Sequence, residues 1–178
     1  MLHTWRATTI STGRAVLVTG VYGAGKSTVV ADLADLLEQR GQRYGALDVD
    51  WLSWFDAGIG EAASQRVVWA NVASVCGAYQ AAGVRLFALA WSVRDRAQLD
   101  ALRQAVPVPM RVVRLEVDAA LVERRLSGGP TAARRDDLRV ARRWLADGVG
   151  VGLEDLRLPG DRPVRATSEA ICAWLGWT

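Results

Sequence analysis

The stretch LVTGVYGAGKSTVVADL, residues 17–33, holds the chain's one lysine among 22 lysines and arginines. Gly20, Val21, Tyr22, Gly23, Ala24, Gly25, Lys26 and Ser27 satisfy the spacing G-x-x-x-x-G-K-[ST]. Glycines at these offsets let the backbone curl until successive N–H groups point inward at phosphate oxygens, with Tyr22 and Ala24 as members of the same curl. A helix opening directly behind the turn adds the partial positive charge of its N-terminus. Lys26 brings a compact charge on a flexible stem between the outer phosphates, where a planar, forked guanidinium would fit poorly. The Ser27 hydroxyl is placed to ligate a magnesium ion bridging those phosphates, and Thr28 is one residue further into the same helical turn. The chemistry expected here is binding of a nucleoside triphosphate with Mg2+, ATP in the first instance.

Two carboxylates come next. ALDVDWLSWF, residues 46–55, ends a predicted second strand in Asp48 and Asp50. Ligands of open α/β sheets bind beyond the C-terminal edge of the strands, and side chains two apart on a strand share a face, so both carboxylates are expected to look into the site. Asp50 is the candidate that orients or deprotonates an acceptor hydroxyl, and Asp48 the candidate that holds magnesium-bound water, although the two roles are interchangeable at this level. Turn chemistry alone would also put Asp at a strand end. Trp51, Trp54 and Phe55 follow, either as walls of an acceptor pocket or as core.

The predicted third strand, residues 84–90, runs on into Trp91 and Ser92 where a motor-type or switch-type NTPase would carry a metal-binding Asp. Arg94 and Arg96 lie just beyond and are candidates to meet an anionic acceptor. Further on, LVERRLSGGPTAARRDDLRVARRWL, residues 121–145, carries seven arginines around the helix-breaking SGGP turn. A cover over about residues 127–137 would bring positive charge to a transferring phosphoryl group, with Arg134 or Arg135 as its agent and Arg134 the named catalytic candidate. Arg125 could lie flat against an adenine ring. Arg139, Arg142 and Arg143 are expected to pair with Asp136, Asp137 and Asp147 on a solvated face.

The elements that must position these groups follow from apolar periodicity. Short continuous apolar runs predict parallel strands at residues 15–19, 43–50, 84–90, 110–117 and 153–158. Helices are predicted from residue 26 to a Gly41 cap, over 65–81 up to Gly83, and over 93–104 behind a Ser92–Asp95 capping box. Two more flank the SGGP turn, ending near residue 147. A last one starts at Pro163, with Val164, Ile171, Trp174 and Leu175 on its apolar positions. Alternating strands and helices give an α/β domain: five parallel strands covered on both faces.

With 178 residues, 51% apolar and 23% charged, the chain suits one globular domain spanning 1–178. No apolar run approaches the roughly 18 residues of a membrane span, and the run at 15–19 is too short for a signal-peptide core. Cys76 and Cys172 stand far apart and read as reduced core thiols of a cytoplasmic protein. The net charge of +3 comes from dispersed arginines and one cluster, with no nucleic-acid module and no zinc spacing, so nucleic acid and membrane are not expected partners.

GVYGAGKST, the LDVD pair, SVRDRAQLDALRQAV after the third strand and VVRLEVDAALVERRL before the lid together resemble the small P-loop kinases that include adenylylsulfate, gluconate and shikimate kinases. The resemblance runs over nearly the whole chain in element order. It implies a three-layer P-loop NTPase fold with sheet order 2-3-1-4-5 and a short arginine-rich lid. It also implies Arg125 flanking adenine and Arg162, in LEDLRLPGDRPV, in the loop beside it. The glycine-rich motif with which shikimate kinases bind their acceptor is missing. The expected activity is transfer of the γ-phosphate of ATP to a hydroxyl of a small molecule, by a monomer or homodimer. The alternatives are a nucleoside monophosphate kinase and a non-catalytic nucleotide-binding module.

Overall fold

The computed structural model describes residues 13–127 and 132–177; the side chains of residues 132–135 lie outside that description. Five strands, β1 (Arg14–Thr19), β2 (Tyr44–Asp48), β3 (Leu86–Ala90), β4 (Met110–Glu116) and β5 (Leu156–Pro159), form one sheet in the order β2-β3-β1-β4-β5. All four pairings are parallel. β1 is central and apolar on both sides: Ala15 and Leu17 enter one core while Val16 and Val18 enter the other. Fully burying a Val or Leu side chain stabilises by about 1.5–3 kcal/mol.

Helices cover both faces. On one side α3 (Glu61–Ala81) presents Val68, Val72 and Cys76, and α4 (Arg96–Ala105) presents Leu99 and Leu102. On the other, α1 (Lys26–Gln39) presents Val29, Val30, Leu33, Leu36 and Leu37, and α7 (Val164–Leu175) adds Ile171 and Cys172. A third, smaller cluster joins Val21 of the glycine-rich loop to Val122 and Leu126 of α5 (Ala119–Leu126) and Ala141 of α6 (Ala132–Ala146). Both cysteines are free and buried, as expected, and burial pushes the Cys76 thiol up to about 11. Among the described residues no helix is long and apolar enough to cross a membrane.

Several boundaries differ from the sequence expectation, each for a local reason. The second strand stops at Asp48, and residues 49–52 form a short helix, α2 (Val49–Leu52), capped by the Asp48 side chain, which accepts from the Asp50 N–H at 3.1 Å. Asp50 therefore enters the site from a helical turn, not from the strand. The cap of α4 is Asp95, whose carboxylate accepts from the Gln98 N–H, while the Gln98 side chain accepts from the Arg94 N–H. Ser92 is no part of that box. Its buried hydroxyl donates to the Gly20 carbonyl at 2.9 Å, and the Val93 N–H donates to the Thr19 hydroxyl oxygen at 3.1 Å. The last strand starts late because Asp155 bonds Val112 with side chain as well as backbone: it accepts the Val112 N–H at 2.8 Å on Oδ2. α3 begins four residues early, at Glu61, and Pro163 is the cap of α7 rather than its first residue. Val164 and Trp174, placed on the apolar positions of α7, are exposed.

The Ser92 contact ties the end of β3 to the loop that follows β1. Ser92→Ala leaves the Gly20 carbonyl without its donor and is expected to cost about 1–3 kcal/mol. Urea denaturation reads this directly, and a variant as stable as the parent would contradict it.

Candidate active site

Gly20 turns the chain out of β1 with φ of +146°, and a Cβ there would lie 2.9 Å from the Leu115 carbonyl oxygen on the neighbouring strand. No other residue allows so close an approach. Gly25, at φ +98°, caps α1 without any side-chain bond, so the first N–H groups of the helix stay open toward the loop. Residues 20–27 thus form a curled loop, closed by an Ala24 N–H to Val21 carbonyl bond at 3.2 Å, along one cleft of about 490 Å³. Tyr22, Gly23, Gly25, Lys26, Ser27 and Thr28 all line it. Gly20 and Ala24 support it from beneath, both buried.

Lys26 is 6% exposed; its Nζ donates to the Val21 carbonyl at 3.1 Å and sits 5.5 Å from the centre of the Tyr22 ring. Burial lowers its pKa, and the carboxylates of Asp50, Asp48 and Asp137 act the other way. Ser27 Oγ donates to Asp48 Oδ2 at 2.5 Å, so hydroxyl and carboxylate form one oxygen cluster at the mouth of the loop. Magnesium prefers few protein oxygens plus water and phosphate oxygens, and this pair fits that demand. Among the described residues no group of three or more His, Cys, Asp or Glu forms a metal cage.

Beside this cleft lies a second of about 280 Å³, walled by Phe55, Ser64, Gln65 and Val68 on one part and Trp91, Arg94 and Trp144 on another. Tyr22 and Asp50 line both clefts. Asp50 keeps solvent access, yet partial desolvation among the cleft walls raises its pKa. Lys26 and a hydrogen bond from the Trp91 side chain pull it down, while Asp48 and Asp137 add to the rise. Burial likewise raises Tyr22, helped by Asp50 and Asp137 and opposed by Arg94.

Other sequence candidates meet mixed outcomes. Arg125 reaches the phosphate-loop cleft, but its guanidinium is engaged: Nη1 donates to the Gly23 and Ala24 carbonyls at 3.1 and 3.0 Å and Nη2 to Gly160 at 2.8 Å. Arg162 is exposed in the turn before α7 and lines neither cleft. The side chains of Arg134 and Arg135 lie outside the described residues, as do residues 128–131 of the lid. Arg139 pairs with Asp136 and Arg143 with Asp147, as expected, but Arg142 reaches across to Glu123 on α5 at 2.6 Å. Phe55 lines the second cleft, whereas Trp51 and Trp54 are exposed and pack on each other, ring centres 5.0 Å apart. Arg94 lines it as well, paired with Glu61 at 3.5 Å; Arg96 does not.

Sequence reasoning missed Asp137 and Trp144. Trp144 stacks on Tyr22 with ring centres 5.1 Å apart, and the Asp137 charge acts on Tyr22, Lys26 and Asp50. A signal existed: residues 137, 141 and 144 fall on one helical face, and Ala141 is fully buried. Glu61, Ser64 and Gln65 had no local signature.

A parallel sheet in this order, with a glycine-rich loop joining its central strand to α1, is the P-loop NTPase fold. Solved P-loop kinases share it over nearly their whole length. An unliganded sugar kinase from Janibacter sp. HTCC2649 matches with a TM-score of 0.67 at 22% identity, covering 92% of this chain and 95% of that one. A gluconokinase from Sinorhizobium meliloti 1021 matches at 0.59 and 20%, covering 92% and 93%. The Mycobacterium tuberculosis APS kinase, solved with AMPPNP and APS, matches at 0.60 and 20%, covering 93% and 98%. At these identities the likeness is one of fold. The model of the methylmalonyl Co-A mutase-associated GTPase MeaB family matches residues 3–67, a span that includes the phosphate loop and β2. No curated protein matches the sequence.

Because burial raises the Asp50 pKa, its ionised form is a cost to the nucleotide-free fold. That cost is absent below the unfolded value, where Asp50 is neutral in both states, and is complete above the raised folded value. Asp50→Asn is therefore expected to raise the melting temperature at pH 7. The gain should vanish as pH falls below about 3.8, the ordinary carboxylate value. Thermal melts across this range test the sign, and a variant less stable at pH 7 would refute it.

Proposed function

We propose that the protein is an ATP-dependent phosphotransferase that moves the γ-phosphate to a hydroxyl of a small molecule. One observation carries the reading: Asp50 and Tyr22 stand where the phosphate-loop cleft and a second, separate cleft meet. A hydrolase needs room for water alone, whereas a kinase needs a pocket for its acceptor beside the phosphate chain and a carboxylate at the junction.

In this reading the open N–H groups of the loop and Lys26 hold the outer phosphates. Lys26 leaves the Val21 carbonyl to do so. Ser27 and Asp48 would hold magnesium, directly and through water; the ion would offset charge on the β- and γ-phosphates. Asp50 orients the acceptor hydroxyl and takes its proton, a role its raised pKa favours. Arg134 of the lid is assigned to the transferring phosphoryl group, in line with its position in the arginine run.

The family match to a GTPase model over residues 3–67 supports a second reading, nucleotide hydrolysis as a switch. Two features favour the kinase. The match ends before the second half of the sheet, and β3 continues into Trp91 and Ser92 with no carboxylate to hold a metal. The structural neighbours, a sugar kinase and a gluconokinase among them, lean the same way.

Lys26→Ala and Lys26→Arg are each expected to reduce phosphoryl transfer by at least about 10²-fold, the scale on which removing one preorganised charge acts. Product mass after incubation with ATP, magnesium and a panel of hydroxyl compounds and nucleoside monophosphates is the measurement. Turnover of Lys26→Ala at the parental rate would sink the assignment, and phosphate release with no acceptor product would favour the switch.

A further inference from the structure

The charge and the walls of the second cleft say what kind of acceptor it takes. We infer that the acceptor is an uncharged or cationic polyhydroxy compound with an apolar ring face, of sugar or amino-sugar type, and that Glu61 enforces this by pairing with Arg94. The inference rests on the kinase reading above.

Among the described residues the formal charges lining this cleft are Asp50, Glu61 and Arg94. Arg94 is the one cation, and its Nη2 lies 3.5 Å from Glu61 Oε1. The pair offsets part of the Arg94 charge, the remainder of which still acts on Tyr22, and the three groups together leave one net negative charge on the cleft. The Asp137 carboxylate adds to the same negative field, since it acts on Asp50 and on Tyr22. A carboxylate or phosphate on the acceptor would meet that net negative charge, and among the described residues the one guanidinium lining the cleft is already paired with Glu61. An ammonium or a neutral hydroxyl meets none.

The walls match that charge. Tyr22 is held flat against Trp144, with 24° between ring planes, and Trp91 is braced edge-on by Trp69 at 90°. Rings fixed by other rings give the cleft rigid aromatic walls, a lining that suits the C–H side of a sugar. Ser53, Ser64 and Gln65 contribute uncharged donors and acceptors suited to hydroxyls. The volume of about 280 Å³ suits a single-ring compound rather than a whole nucleotide.

Four probes that share the glucose pyranose ring isolate charge: glucose, glucosamine, glucuronate and glucose 6-phosphate. Their affinities are read by tryptophan fluorescence on the full chain with magnesium and a non-hydrolysable ATP analogue present, because Trp91 and Trp144 line the cleft. Glucose and glucosamine are expected to bind roughly tenfold or more tighter than the two anions. Glu61→Gln, at a side chain 84% exposed and so harmless to folding, frees Arg94 and is expected to erase or reverse that preference. Anions binding as tightly as the neutral and cationic probes, no binding by any of the four, or an unchanged preference in Glu61→Gln would each overturn the inference. Calorimetry of the parent with ATP and magnesium runs alongside. No heat there sinks the kinase reading itself, whereas a normal isotherm with anions preferred overturns only the charge assignment.

Discussion

A nearly dry ammonium facing three carboxylates is the constraint around which this molecule is arranged. Lys26 is almost wholly buried, which penalises its charge, and Asp50, Asp48 and Asp137 are what make that charge tolerable. The carboxylates carry the opposite problem, since Asp50 is itself desolvated and is helped by Lys26. Neither side is comfortable alone, and under the kinase reading phosphate and metal would share that field. The site is held ready for ligand charges, with its own charges incompletely balanced.

Holding the loop in place takes both faces of the sheet. Val21 is anchored by α5 and α6, Ala24 sits in the core under α1, and the Gly20 carbonyl is gripped by Ser92 from the end of β3. The three contacts come from segments distant in sequence and meet at the C-terminal edge of β1. A parallel sheet with β1 at its centre makes this possible, because both neighbouring strands end beside the loop.

The phosphate loop was legible in the sequence because its chemistry is contiguous: glycines, lysine and serine at fixed offsets leave few other uses. The sheet order followed from the family resemblance and from alternation of strands and helices. The exit from β2 was misread, since a four-residue helix has no periodicity to detect and Asp48 looks the same as strand end or as cap. Asp137 and Trp144 escaped for a different reason. An arginine-rich helix reads as a solvated surface, and only the direction in which α6 crosses the loop turns one of its faces inward. Ser92 escaped because a serine three residues before an aspartate imitates a helix cap, while its true partner lies 72 residues away.

Arg125 gives α5 a mechanical character of its own. Its guanidinium joins two carbonyls of the phosphate loop to a third at Gly160, between β5 and α7. A rigid planar fork spread over three acceptors resists rotation as well as withdrawal, so the last turn of α5 behaves as a pier fixed to both banks of the nucleotide cleft. Leu126, packed against Val21 immediately beyond it, completes that footing. The point at which the chain leaves α5 is thereby fixed to the glycine-rich loop on one side and to the β5–α7 connection on the other.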